Sequence, residues 1–291
     1  MTAETDPFEG LELAPIGFAD AGRGAALSAK IGWNQTEADW RYMLENGSGY
    51  GCSDGAGRLV ASAMALPYET FGWVCMVLVR ESFRRRGLAT DLMNRVIADL
   101  ERDGVVPGLD ATPAGREVYK QLGFEDIYRL ERLWSERAPI PADAPEKPVV
   151  IAPMTADEVE EIAGYDATKF GADRTALLRH LYGQAPELAF VARAGQWLAG
   201  YILGRAGREV TQIGPVTAED GDIAIALARH VLGELDGGAV IDAAEHQGAF
   251  IDWLKRSGFT YQRPYIRMLR GRSEPVDQVA YVFAVAGPEL G

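Results

Sequence analysis

The feature that most constrains this chain is a recurrence. Leu92, Val96 and Leu100 mark one face of a helical stretch, and 135 positions later Leu227, Val231 and Leu235 mark another in the same phase. Gly123 and Phe124 recur at the same offset as Gly258 and Phe259. Between the copies, residues 138–148 (APIPADAPEKP) carry four prolines. Prolines at that density deny helix and ladder hydrogen bonds, so the stretch reads as an extended linker. The expected organisation is two tandem copies of one α/β fold, 1–137 and 149–291, joined by 138–148. In the first copy, 25–46 has a helical period and 57–66 and 72–79 read as strands. A helix follows over 88–102, a short strand over 107–111, and a helix over 115–122 that Gly123 stops.

Composition narrows the function. A net charge of −13 argues against general nucleic-acid binding, which needs a basic surface. It suits a cationic partner such as an amine, although most acidic proteins are acidic for solubility alone. Apolar content of 47% and charged content of 24% are those of a soluble globular protein. Cys52 and Cys75 are too few for a disulfide framework or a zinc site and read as buried thiols in a reducing, cytoplasmic setting. The opening residues MTAETDPFEG carry no secretory pattern, and no apolar run approaches the roughly 18 residues of a membrane span. The three histidines, His180, His230 and His246, are scattered, so no metal site is expected.

The most informative segment is VLVRESFRRRGLAT, residues 77–90: an apolar strand, a basic turn with one glycine, then a helix. The first N–H groups of a helix lack internal partners and sit at the positive end of its dipole. A turn with little bulk lets a diphosphate approach them, and the arginines add charge. Alone, the same turn could be a solvated helix start. A Walker A loop is excluded by the missing Gly-Lys-(Ser/Thr) ending, and a dinucleotide fingerprint by the missing glycines.

Arg84-x-x-Gly87-x-Ala89 after Val77, Leu78 and Val79 resembles the acetyl-CoA signature of the GNAT superfamily of N-acetyltransferases, (Gln/Arg)-x-x-Gly-x-(Gly/Ala). The resemblance implies that Arg84, Arg85, Arg86, Gly87, Leu88, Ala89 and Thr90 line the pyrophosphate, while Val77, Leu78 and Val79 run along the pantetheine. The segment TPAGREVYKQLGF, residues 112–124, is similar to the family's Asn-x-x-Ala-x-x-x-Tyr-x-x-x-Gly-Phe. Tyr119 then takes the place of the tyrosine that protonates the departing thiolate. Thr112 stands where the family often has asparagine, which leaves one contact to the cofactor arm in doubt. A tyrosine near pKa ~10 is a weak but competent acid toward a thiolate near ~8.5. The implied function is transfer of an acetyl group from acetyl-CoA to an amine, with no metal.

In the second copy the same offset puts Glu219, Asp220 and Asp222 on the positions of Arg84, Arg85 and Gly87, and Leu254 on that of Tyr119. Carboxylates would repel a diphosphate by about 1–4 kcal/mol per close charge, so this copy reads as a degenerate GNAT domain with a structural or acceptor-side role.

An amine of pKa ~10.4 must lose a proton to attack, so a carboxylate or a water held by one is required. Glu69, after the strand 59–66, is the first candidate and Asp110 the second; either could equally be an ordinary surface or turn carboxylate. Trp33, Asn34 and Gln35 precede a capping box at Thr36 and Asp39 and sit in a loop that commonly lines the acceptor pocket in GNAT proteins. Trp33 fits core packing equally well. The expected acceptor is a small-molecule amine; a protein amine, or a CoA-binding module without catalysis, are the alternatives. A monomeric pseudo-dimer and a homodimer both fit.

Overall fold

The computed structural model describes residues 6–143 and 148–291. The chain packs as two compact units, Met1–Gly108 and Leu109–Gly291.

In the first unit the helical period of 25–46 belongs to two helices, α1 (Ala21–Ile31) and α2 (Glu37–Asn46). Gly32, at φ 80°, closes α1 in the left-handed region. The expected capping box opens α2: Asp39 N–H donates to Thr36 Oγ1 at 3.3 Å, and Thr36 N–H donates to Asp39 Oδ2 at 2.7 Å. Strands β1 (Glu12–Pro15), β2 (Ser48–Ser53), β3 (Leu59–Tyr68) and β4 (Phe71–Val79) follow one another antiparallel. The start of β5 (Val106–Ala111) pairs parallel with the start of β4. Every residue of β3 from Leu59 to Leu66 is buried, without alternation. A strand reads so when both faces are covered, and α1, α2 and α3 (Leu88–Arg102) all pack on it. α3 presents Leu88, Leu92, Met93, Val96, Ile97 and Leu100 to this core, the stripe expected of a 3.6-residue period.

The second unit takes in the end of β5, then α4 (Pro113–Gln121) and β6 (Phe124–Ser135). After the proline-rich stretch come β7 (Val150–Pro153), α5 (Val159–Phe170), α6 (Thr175–Gln184), β8 (Phe190–Ala194), β9 (Trp197–Arg205) and β10 (Thr211–Ala218). They are followed by α7 (Gly221–Glu234), β11 (Ala239–Ala244), α8 (Gly248–Arg256), β12 (Thr260–Arg270) and β13 (Val282–Ala284). The strand order is β12-β6-β11-β13-β10-β9-β8-β7. β6, which precedes the prolines in sequence, thus lies between two strands of the later half, with Leu130 opposite Tyr265 on one side and Ala244 on the other. Residues 138–148 are therefore internal to this unit; 144–147 lie outside the described residues. Leu227 and Val231 on α7 are fully buried, as their first-copy counterparts Leu92 and Val96 are on α3.

The contact between α1 and α2 provides a test of packing. Trp40 of α2 is fully buried, and its indole N–H donates to Ser28 Oγ of α1 at 3.0 Å. A Cβ on Gly24 would stand 2.3 Å from the Trp40 ring. Alanine is the better helix former by about 1 kcal/mol, but overpacking costs about 1–3 kcal/mol. Gly24→Ala is therefore expected to lower Tm by several degrees in a thermal melt; an unchanged or higher Tm would mean that α1 can shift freely.

Candidate functional site

Residues 80–87 carry the chain from β4 to α3 and hold four arginines. Arg84 Nε donates to the Val79 carbonyl at 3.2 Å, and an Arg86 guanidinium nitrogen donates to the Glu9 carbonyl at 2.7 Å. The Arg86 guanidinium also lies 5.9 Å from the Phe83 ring centroid. Arg85 is exposed in the left-handed region at φ 63°. α3 starts from Gly87 at φ 89°, and no side chain caps it. Among the described residues the space beside Gly87 is open, with Pro7 Cβ the only neighbour at 3.8 Å, so glycine is favoured there by backbone conformation. A positive helix start without a capping side chain, flanked by guanidinium groups, is a ready anion site.

The strand leading into this loop is equally distinctive. The ladder between β4 and β5 runs from Phe71 to Trp73, so among the described residues the strand pairing of β4 from Val74 onward is with β3. Ser62 lies opposite Leu78 and Met64 opposite Cys75, which leaves Met76 and Val77 facing the single residue Ala63. This is a β-bulge, with Met76 at φ 49°. The buried Ser62 hydroxyl donates to the Met76 carbonyl at 2.7 Å. In a trans peptide the N–H points opposite to the preceding carbonyl, so Val77 N–H is turned away from Ser62. Arg80 N–H donates to the Val60 carbonyl at 2.8 Å, toward β3. Strand alternation then directs the Val79 main-chain groups the other way, to the unladdered edge. Nothing in the sequence marks Met76, since a positive φ at a non-glycine residue has no compositional signature.

Tyr119 stands on α4 in the second unit. Thr112 caps that helix, its Oγ1 accepting from Gly115 N–H at 3.2 Å. Position 115 must be small, because a Cβ there would lie 2.8–3.2 Å from the Tyr119 ring and hydroxyl. Sequence reading missed Gly115, although a glycine four residues before the tyrosine on a helix is the visible signal. Arg116 binds Asp126 with both Nε contacts at 3.0 Å, and an Arg270 Nε donates to the Leu122 carbonyl at 2.7 Å; together they fix α4 against β6 and β12. Burial pushes the Tyr119 phenol up to about 12.

Trp33 and Asn34 are half-buried in the loop between α1 and α2, and Gln35 is 6% exposed with its Oε1 unbonded among the described residues. A buried amide oxygen in that state can accept from a ligand N–H. Glu69 is exposed in the two-residue β3–β4 turn, at φ 31°. It lies at the beginning of β4, and the arginine loop follows the end of that strand, about 25 Å away at 3.3 Å per residue. The Asp110 side chain is fully buried with both oxygens accepting from Arg267 at 3.0 Å, and burial holds its carboxyl above the usual range despite the guanidinium. Cys52 and Cys75 are buried, and burial raises the Cys52 thiol to about 11, which keeps it unreactive. Among the described residues no group of three or more metal-ligating side chains gathers, and no helix is long and apolar enough to cross a membrane.

The second copy handles its helix start differently. Only Glu219 and Asp220 separate β10 from α7, against residues 80–87 in the first. Cap for cap, Gly87 answers to Asp220, not to Asp222 as an ungapped offset implies, because the loop is shorter. Asp220 Oδ1 accepts from Ile223 N–H at 3.0 Å, so the helix start already holds a carboxylate. Glu219 accepts from the Tyr165 hydroxyl at 3.0 Å and lies 3.2 Å from Lys169 Nζ. Leu254, at the offset position of Tyr119, is fully buried.

Comparison with known proteins agrees with this architecture. Residues 25–124 match the model of the acetyltransferase (GNAT) family, and 162–284 match that of an acetyltransferase (GNAT) domain. The holothin acyltransferase of Pseudoalteromonas sp. (strain SANK 73390) is 28% identical over 80% of this chain and 78% of its own. The uncharacterized N-acetyltransferase YitH of Bacillus subtilis (strain 168) is 20% identical over 91% of this chain and 93% of its own. A crystal structure of a protein from Pyrococcus horikoshii superposes with a TM-score of 0.78 at 18% identity, covering 100% of this chain and 99% of that one. A tandem GNAT protein from the clavulanic acid biosynthesis pathway gives a TM-score of 0.60 at 16% identity, covering 91% and 100%. With both copies matched and a tandem relative sharing the fold, the chain belongs to the GNAT acetyltransferase family and is a tandem member of it.

Proposed function

We propose that this protein is an N-acetyltransferase that takes acetyl-CoA in its first copy and acetylates a small-molecule amine. The observation that carries the reading is the pairing of an uncapped, arginine-flanked helix start with a β4 edge that has no ladder partner beyond Trp73. The first suits a diphosphate, and the second suits the amide arm of the same molecule. The similarity to holothin acyltransferase supports a small acceptor.

In this reading the N–H groups of Leu88, Ala89 and Thr90, with Arg84, Arg85 and Arg86, hold the diphosphate. The main-chain groups of Val77 and Val79 bond the pantetheine amides, Leu78 anchoring the strand in the core. Val77 N–H, turned outward by the bulge, donates to the thioester oxygen as charge builds there. The amine nitrogen attacks the carbonyl carbon, a C–N bond forms, the C–S bond breaks, and the amine loses a proton. Tyr119 supplies a proton to the sulfur. Gln35 Oε1 accepts from the acceptor, with Trp33 and Asn34 beside it. The proton of the amine goes to a carboxylate or to a water held by one; Glu69, in the β3–β4 turn, and Asp110, bonded to Arg267, are the candidates.

Assays of CoA release against a panel of amines, with mass measurement of the product, test the activity. Gly87→Glu forces a side chain into φ 89° and puts a carboxylate at the helix start. It is expected to weaken acetyl-CoA binding at least 100-fold by titration calorimetry, and unchanged affinity would put the diphosphate elsewhere.

Tyr119→Phe is expected to lower kcat by about 10²–10⁴, the usual worth of a general acid. The acid must be protonated, and its pKa is raised to about 12 by burial. The wild-type rate should therefore show no alkaline fall below about pH 11 from this group. A kcat unchanged in the phenylalanine variant would remove Tyr119 from the mechanism.

Ser62 acts as a positioning residue through the Met76 carbonyl. Ser62→Ala is expected to reduce kcat roughly tenfold with KM for acetyl-CoA within twofold, since only the transition state uses the outward Val77 N–H. Ser62→Thr, which keeps the hydroxyl, should recover most of the loss. A Ser62→Ala enzyme with full kcat would show that the bulge holds itself.

A further inference from the structure

In the second copy, β10 and β11 are parallel and laddered from Thr211 opposite Ala239 to Ile213 opposite Ile241, and then part. The first copy has the same divergence after Trp73 of β4. In the second copy the gap is filled. β13 enters it antiparallel to both walls, with Ala284 opposite Val216 of β10 and Ala243 of β11, and Val282 opposite Thr217. Val285 N–H extends the pairing by donating to the Asp242 carbonyl at 3.1 Å.

The walls are shaped for this strand. A Cβ on Gly214 would stand 2.1 Å from the Val285 carbonyl oxygen, so position 214 of β10 has no room for a side chain where Val285 passes. Val282, Phe283, Ala284, Val285, Ala286 and Leu290 are each no more than 7% exposed. The Phe283 ring packs edge-on against Phe250 at 5.6 Å and lies beside Gly221, the first residue of α7. Further along, the Glu289 carboxylate is bonded to Arg205, both side chains 2% exposed, and Arg174 donates to the Gly291 carbonyl at 3.3 Å.

We infer that the cleft of the second copy is a peptide socket whose resident is the chain's own segment 282–291, and that this segment shuts the copy to coenzyme. The ligand class is an extended peptide of small apolar residues followed by a glutamate that reaches a buried arginine. The strand takes the ladder positions that the first copy leaves open, and Asp220 with Glu219 takes the place of the anion. One coenzyme site per chain follows. This last step rests on the coenzyme reading of the first copy; the peptide socket itself does not.

Hydrogen–deuterium exchange on the full chain, with native mass spectrometry, separates the two. In the wild type, amides of 216–218, 243 and 282–286 should exchange slowly and together. Saturating acetyl-CoA should leave them unchanged while it protects 77–79 and 87–90, at one coenzyme per chain. In a charge-neutral Arg205→Met, Glu289→Met double variant, the segment and the 216–218 amides should accelerate together by at least tenfold. A second bound coenzyme, protection of 211–218 by acetyl-CoA, or rapid exchange of 282–286 in the wild type would overturn the inference. So would acceleration of the segment in the variant with 216–218 unmoved. If acetyl-CoA protects nothing, the coenzyme reading fails, while the coupled slow exchange still decides the socket.

Discussion

The placement of β6 between β12 and β11 depends on one buried ion pair. Arg132 of β6 grips Asp242 of β11 through two bonds of 2.7 and 2.8 Å, with Gln212 of β10 donating to the same carboxylate at 3.1 Å. Burial opposes the arginine's charge, but the Asp242 carboxylate more than offsets it, and the guanidinium pKa is raised. Removing one member of such a pair leaves an uncompensated charge in the core, which typically costs about 3–5 kcal/mol. Register follows from it, since a one-residue slip of β6 would turn Arg132 to the other face. A second buried set repeats the device: Arg267 of β12 joins Asp110 and Asp277, and the Tyr128 hydroxyl of β6 donates to Asp277 at 2.5 Å.

Within that frame the two copies use the same strand–turn–helix in opposite ways. One begins its helix with a glycine and surrounds it with arginines; the other begins with an aspartate whose own oxygen satisfies an N–H. Each is a solution to the same problem of unpaired amides at a helix start. The first has no side-chain cap from its glycine, and the second caps itself with Asp220. The divergent strands behave in parallel, with a bare edge in one copy and a resident strand in the other.

Much of this was legible in the residues. The arginine-glycine turn and the tyrosine helix each combine a local conformational requirement with charge or chemistry, so composition and spacing carry them together. The capping box at Thr36 was readable because its hydrogen bonds are local. What escaped was non-local. Phe124 to Ser135 reads as a strand, but nothing along it names β11 and β12 as neighbours. The bulge at Met76 is bonded to a hydroxyl fourteen positions earlier. The offset that aligned the helices misassigned the second cap, because the shortened turn shifts Asp220 onto it. Glu69 follows a strand in the sequence, and only the pairing of that strand with the next puts it at a hairpin tip.

The neighbours of β6 also bear on how such a chain could evolve. Although the later copy holds a carboxylate where the earlier one offers bare amides, it cannot be trimmed away as surplus. Cutting at the prolines would strip β6 of both flanking strands and expose two rows of unpaired main-chain groups together with the lone guanidinium of Arg132. Such edges invite pairing with other molecules. The later copy is thus retained by architecture, and its surface is free to drift while its strands are not.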